Sequence, residues 1–263
     1  MPHLLTTDSL TEISVVQCLH CNQAVVPTDR FCGGCGTEVI SDPDKAAAKG
    51  DAMKILTPTL AYYFITLMLI ATYSLTEIFP EGFEGLVVIS AIDILLVLIF
   101  WAFYFREIKP LFSISRINIG VMGLTIVGAG FAGILVTGLA DVIQFSIQDD
   151  VFYSTYLFED TLNPFLWAVL FICVQPAIFE EVAFRGFLYS NLEKVTTAQS
   201  AIYITAFIFG IIHLAVISMI WLVPGGLVFA YMRMKYKTLW YGIVGHFTYN
   251  FTITIIDFWG IPG

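Results

Sequence analysis

Charge is what this sequence has least of. Asp, Glu, Lys and Arg make up 13% of its 263 residues, apolar residues 58%, and the mean hydropathy is +0.83. An ordinary soluble domain carries roughly twice that charge, about 25%, so the class is excluded and an all-α polytopic membrane protein is expected. Positive charge is rarer still, at 12 Lys and Arg against 21 Asp and Glu, and no nucleic-acid partner is expected. The opening MPHLLTTDSLTEIS has neither a basic n-region nor a long apolar core, which argues against a cleaved signal peptide and leaves the first membrane helix as the targeting signal. Cysteine and histidine are few, five and four, and their placement carries most of the information.

Four of the five cysteines lie close together, as Cys18-Leu-His-Cys21 and Cys32-Gly-Gly-Cys35. Two CxxC pairs across a short polar stretch supply four thiolates able to close tetrahedrally on one Zn2+. Gly33, Gly34 and Gly36 permit tight knuckle turns that bring backbone N–H groups toward sulfur. With Phe31 before the second pair, residues 1–40 resemble a small zinc ribbon with Cys18, Cys21, Cys32 and Cys35 as ligands, the alternative being paired disulfides or a redox CxxC. So short a segment cannot fold on an apolar core alone, and metal would supply the missing stabilisation. His20 reads as a solvated neighbour, and residues 41–55 as a polar linker that tethers the ribbon.

Residues 56–263 form the expected membrane domain. Apolar spans of bilayer length fall near 57–79, 85–105, 117–140, 164–190, 198–214, 216–233 and 239–258, about seven transmembrane helices. Thr57-Pro58 reads as an N-cap and first-turn proline for the first span. In the third, Gly120, Gly123, Gly128, Gly130, Gly133 and Gly138 read as packing positions. Pro224-Gly225-Gly226 predicts a break in the sixth. Among the connections, Lys and Arg occur only before span one and after spans two, four and six, so the positive-inside rule puts the N-terminus and its ribbon in the cytoplasm and the C-terminus outside, in the cell membrane. Thiols stay reduced there, which favours zinc over disulfides.

Against this apolar background the stretch from Cys173 to Lys194 stands out, because Glu180, Glu181 and Arg185 fall at membrane depth, where ionisable groups are expensive. Glu181 and Arg185 stand at i, i+4 and can pair, while Glu180 points roughly 100° away. Pro176 predicts a kink or loosened turn just before the carboxylates. A helix end anchored by a surface ion pair is the bland alternative for this pattern. Asp93 in span two reads as a local hydrogen bond or interfacial residue before a substrate or proton contact, and Cys173 as a packed thiol.

The two histidines beyond the N-terminal region are His213, in span five, and His246, in span seven. If spans four and five turn back near Thr196-Thr197, Glu180 and His213 reach similar depth. His246 and Asn250, at i, i+4, share a helix face and can project into one cavity. EEVAFRG, FGIIH and HFTYN match, in order and spacing, the EExxxR, FxxxH and HxxxN/D motifs of the CPBP intramembrane proteases, the group of type II CAAX prenyl endopeptidases and bacteriocin-immunity (Abi) homologues. The resemblance covers a motif core over 165–258, including Lys237-Thr-Leu-Trp240. It implies Glu180 and His213 as the pair that activates water, His246 and Asn250 as the groups that hold the scissile carbonyl and its oxyanion, and Glu181 and Arg185 as support.

The expected function is thus an intramembrane endopeptidase that hydrolyses a peptide bond of a membrane-associated protein or peptide. The competing readings are a non-proteolytic scaffold or immunity-type protein that binds a protein partner through its ribbon, and a proton-coupled transporter, which the absence of an internal repeat disfavours. Two catalytic arrangements remain open: water activated directly by Glu180 and His213, or a divalent metal held by one Glu and two His. The HExxH spacing of a compact zinc site is absent. Asn is a poor zinc ligand and a good oxyanion donor, which favours the metal-free arrangement.

Overall fold

A computed structural model describes residues 16–18, 20–26, 32, 34–35, 43–147 and 154–259. Phe31, Gly33 and Gly36 of the expected ribbon, and Asp149 and Asp150 of the connection after the third span, lie outside the described residues. The chain divides into two compact units, Met1–Ile55 and Leu56–Gly263.

In the first unit β1 (Val16–Gln17) pairs antiparallel with β2 (Ala24–Val25), Val16 opposite Val25 and Gln17 opposite Ala24. Between them Asn22 takes a left-handed conformation (φ 59°), which Asn tolerates better than most residues, and its N–H donates to the Cys18 carbonyl at 2.8 Å. Cys18, Val25 and Cys32 form a miniature buried cluster.

Seven long helices organise the rest of the described chain: α1 (Pro43–Leu75), α2 (Gly82–Phe103), α3 (Ile119–Ile147), α4 (Pro164–Val195), α5 (Ala198–Ile212), α6 (Met219–Tyr236) and α7 (Trp240–Trp259). Four, over Asp51–Leu75, Gly82–Phe103, Ile119–Ile143 and Pro164–Val195, are long and apolar enough to cross a membrane, and α5 is a shorter apolar helix. Leu60, Phe64, Phe103, Leu124 and Phe131 project from the surface, as expected of helices whose solvent is lipid. The protein is an all-α, multi-pass membrane protein with a small N-terminal cysteine module.

Three local expectations change. Thr57 does not cap the first span, because helix begins at Pro43 and Pro58 lies inside it. The run Lys45-Ala-Ala-Ala-Lys49 has strong helix propensity, so the segment read as linker is helical from Pro43 and carries through the proline. Nor does Pro224 break α6, since the chain instead leaves helix around His213–Ser218 and re-enters at Met219. Packing overrides the proline here: a Cβ on Gly226 would meet Ala206 at 3.1 Å, so α6 lies directly on α5. Of the glycines in α3, Gly130 and Gly133 face α7, with a Gly133 Cβ 3.0 Å from Thr252, while Gly123, Gly128 and Gly138 have open space.

Aromatic rings lock α1, α2 and α4 together, with Tyr62 4.7 Å from Phe100 and Phe187 5.2 Å from Phe100. Polar bonds tie the basic connections to one another. Arg116 Nη1 donates to the Lys237 carbonyl at 2.6 Å, Lys237 pairs with Glu193 at 3.0 Å, and Lys194 pairs with Glu107. Thr238 Oγ1 and the Leu239 N–H both donate to the Leu111 carbonyl at 2.9 Å, which fixes where α7 starts.

Candidate functional site

The site is built on an irregular helix. Within α4, Val169–Val174 and Glu181–Leu188 are wound with i→i+5 bonds, on either side of an α-helical turn at Gln175–Glu180. Such π turns interrupt the regular ladder and recur at functional sites. Inside a bilayer the carbonyls exposed by the irregularity need protein donors. Three neighbours supply them: Asn250 Nδ2 to Ile172 O (2.8 Å), Tyr63 Oη to Ala183 O (2.7 Å) and Arg233 Nε to Arg185 O (3.1 Å). Donors from α7, α1 and α6 therefore hold the distorted helix in place. Pro176 announced the first irregularity; nothing in the residue pattern announced the second.

Glu181 and Arg185 are fully buried and paired, Nη1 to Oε1 at 2.9 Å. This excludes the exposed anchor considered from the sequence. Arg185 Nη2 reaches the Gly226 carbonyl at 3.3 Å, and the guanidinium lies 4.6 Å from the centre of the Phe209 ring, a cation–π contact. Gly242, one turn before His246, lets α7 approach: a Cβ there would stand 2.1 Å from Glu181 Oε2. The sequence reading missed Gly242, although its i−4 relation to His246 places it on the same face.

His246 lies between the two carboxylates. Its Nδ1 is 3.4 Å from Glu181 Oε1 and its Nε2 3.9 Å from Glu180 Oε2. Neither contact is a hydrogen bond, since neither Nδ1 nor the buried Glu180 Oε2 has a hydrogen-bond partner. The ring stacks on Phe229, centroids 6.0 Å apart at 22°, and meets the edge of Phe209 at 6.0 Å.

Glu180 also faces a cavity of about 160 Å³ lined by Tyr62, Asp93, Gln175, Phe179 and Phe184 among others. That volume admits several waters but is below the roughly 300 Å³ of a pocket that encloses a whole small molecule. Asp93 turns into this cavity, where Gln175 Nε2 donates to its Oδ2 at 3.3 Å. Its partner is therefore on another helix, and Asp93 shares the cavity with Glu180.

His213 stands at the C-cap of α5, exposed, not in mid-helix. Its Nδ1 lies 2.7 Å from the Phe209 carbonyl, which only accepts, so this nitrogen is the donor of that bond. The Phe209 ring touches both histidines, 4.9 Å from His213 and 6.0 Å from His246. Among the described residues no hydrogen bond or ion pair joins His213 to Glu180. The turn at Thr196-Thr197 is present, with Thr197 capping α5 through the Ser200 N–H at 3.1 Å.

Among the described residues, one group of three or more His, Cys, Asp or Glu is arranged to hold a metal: Cys18, Cys21, Cys32 and Cys35, with all four sulfurs within 4.8 Å of one another. None of the four is joined in a disulfide, Cys18 Sγ lying 3.7 Å from Cys35 Sγ and Cys21 Sγ 3.6 Å from Cys32 Sγ. Four thiolates about 2.3 Å from a central ion have tetrahedral edges of about 3.8 Å, so the spacing fits a thiolate-bound metal and not disulfides. Backbone N–H groups of Cys21 and His20 hold the Cys18 thiol below its ordinary pKa, whereas the neighbouring sulfurs, Cys35 foremost, push Cys21 up to about 12. The Gly34 N–H points at Cys32 Sγ at 3.4 Å. Among the described residues Glu180, His213 and His246 form no comparable group.

Compared with known proteins, residues 162–252 match the family model described as type II CAAX prenyl endopeptidase Rce1-like, a region that holds Glu180, Glu181, Arg185, His213, His246 and Asn250. No curated protein and no solved structure matches the chain.

Proposed function

We propose that this chain, Rce1-like over residues 162–252, is an intramembrane endopeptidase that cleaves a membrane-associated protein or peptide with water activated by Glu180. The observation that carries the reading is the placement of His246 between the buried Glu181–Arg185 pair and Glu180, which itself stands on the wall of a cavity large enough for water.

In this reading a water in the cavity gives a proton to Glu180 as its oxygen attacks the scissile carbonyl, with the Nε2 lone pair of His213 as a second acceptor. The carbonyl oxygen becomes an oxyanion, stabilised by His246 and by an amide N–H of Asn250. Collapse breaks the C–N bond, and Glu180 returns its proton to the leaving amine. Glu181 and Arg185 act through position, holding charge opposite His246 Nδ1. The donor set of the membrane domain supports a metal-free mechanism. At the N-terminus the thiol geometry supports a structural Zn2+, with the module available to a protein partner. The common end shared by the basic connections supports a cytoplasmic N-terminus and an external C-terminus.

The test is a comparison of membrane proteomes from cells carrying the wild type or Glu180→Gln. Fragments with new termini that appear only with the wild type are expected. Identical proteomes would overturn the endopeptidase reading.

A further inference from the structure

Pro176 precedes the carboxylates, and no step of the chemistry above uses it. In a regular helix the N–H of residue 176 would serve the carbonyl of Ile172. Proline has no N–H, and its ring crowds that carbonyl. Just upstream the helix is wound with i→i+5 bonds, the Gln175 N–H reaching back to Leu170 O. With proline at 176, Ile172 O cannot receive the N–H of a regular turn, at membrane depth where an unserved carbonyl is costly.

The replacement donor is Asn250 Nδ2, at 2.8 Å. Asn250 belongs to α7, one turn beyond His246. A primary amide has an oxygen end that only accepts and a nitrogen end that donates twice. The bond to Ile172 settles which end faces α4, and it occupies one N–H while leaving the other. An amide turned over would present oxygen to a developing oxyanion and repel it.

We infer that the carbonyl freed by Pro176 is a clamp that orients Asn250, making Pro176 a positioning residue that acts on the oxyanion through Ile172 O. The inference rests on the reading of Asn250 as an oxyanion donor under the proposed function. It has an uncommon consequence: removing the proline should strengthen the helix and weaken the enzyme. The Pro176→Ala change brings back the N–H that Ile172 O lacks, competes with Asn250 for that carbonyl, and releases the side chain.

The experiment uses the full-length protein in detergent, as wild type, Pro176→Ala, Asn250→Ala and the double variant. Tm is measured for all four, and kcat and KM separately on a substrate recovered from the proteome comparison. Pro176→Ala should keep or raise Tm and leave KM unchanged while kcat falls by about 10²-fold, the scale of losing one oxyanion donor. The double variant should be no slower than Asn250→Ala alone, because both changes remove the same interaction. Asn250→Ala should lower Tm when Pro176 is present and leave it unchanged in the Pro176→Ala background, where the restored N–H serves the carbonyl.

Wild-type kcat in Pro176→Ala, or multiplicative losses in the double variant, would overturn the catalytic role. A Tm effect of Asn250→Ala that is the same in both backgrounds would overturn the clamp itself, whether or not a substrate is known. A wild type that cleaves nothing would refute the endopeptidase reading and the clamp's purpose with it, while the Tm coupling would still decide whether the clamp exists.

Discussion

Arg185→Met removes the cation from a pair whose two side chains are both 0% exposed. Glu181 Oε1 loses its 2.9 Å charge-assisted bond, the Gly226 carbonyl loses its 3.3 Å donor, and the Phe209 face loses its cation. Breaking a buried pair from one side leaves an uncompensated charge and costs about 3–5 kcal/mol. At roughly 2–4 °C per kcal/mol for a chain of this size, Tm should fall by about 6–20 °C. Thermal unfolding of the detergent-purified protein is the assay. Replacing both partners, as Glu181→Met with Arg185→Met, should recover most of the loss, because the burden is the orphaned carboxylate and not the missing contact. A single variant that melts within about 3 °C of wild type, or a double variant that melts lower than the single, would refute the reasoning.

Gly242→Ala drives a methyl to 2.1 Å from Glu181 Oε2, so it should displace the carboxylate and lower kcat by about 10²-fold or more with the fold retained, as circular dichroism and initial rates would show. Asp93→Asn keeps the shape of the cavity and a bond to Gln175 but removes the second carboxylate that faces Glu180; a change in the pH profile of kcat/KM with little change in Tm is expected. In the N-terminal module, Cys21→Ser with Cys32→Ser should abolish one equivalent of bound metal, read by elemental analysis of the full-length protein, while cleavage of a membrane substrate continues.

The membrane class, the approximate spans and the cysteine module were legible in the sequence because each rests on a local property: hydropathy over about twenty residues, or ligands spaced for one ion. Glu180, Glu181 and Arg185 stood out for a related reason, since charge at membrane depth is conspicuous. What resisted was anything that packing decides. Pro58 and Pro224 sit inside helices because flanking propensity and the contact of Gly226 with Ala206 outweigh a missing bond. The π winding of Glu181–Leu188 leaves no mark in the residues, being imposed by the donors that Tyr63 and Arg233 bring from α1 and α6. Burial of Glu181 was equally hidden, because i, i+4 spacing states that a pair can form and not where. Asp93 looked ordinary on its own helix, and its importance appears only with Gln175 and Glu180 on the same cavity wall.

The central claim is that Glu180 activates the water that cleaves a peptide bond. It is tested most directly by cleaving a purified substrate in ¹⁸O-labelled water, with mass spectrometry of the new C-terminus for wild type and Glu180→Gln. The account predicts that the wild type places one labelled oxygen in the new carboxylate and that Glu180→Gln, folded and of similar Tm, yields no such product. Labelled product from Glu180→Gln at the wild-type rate would contradict it.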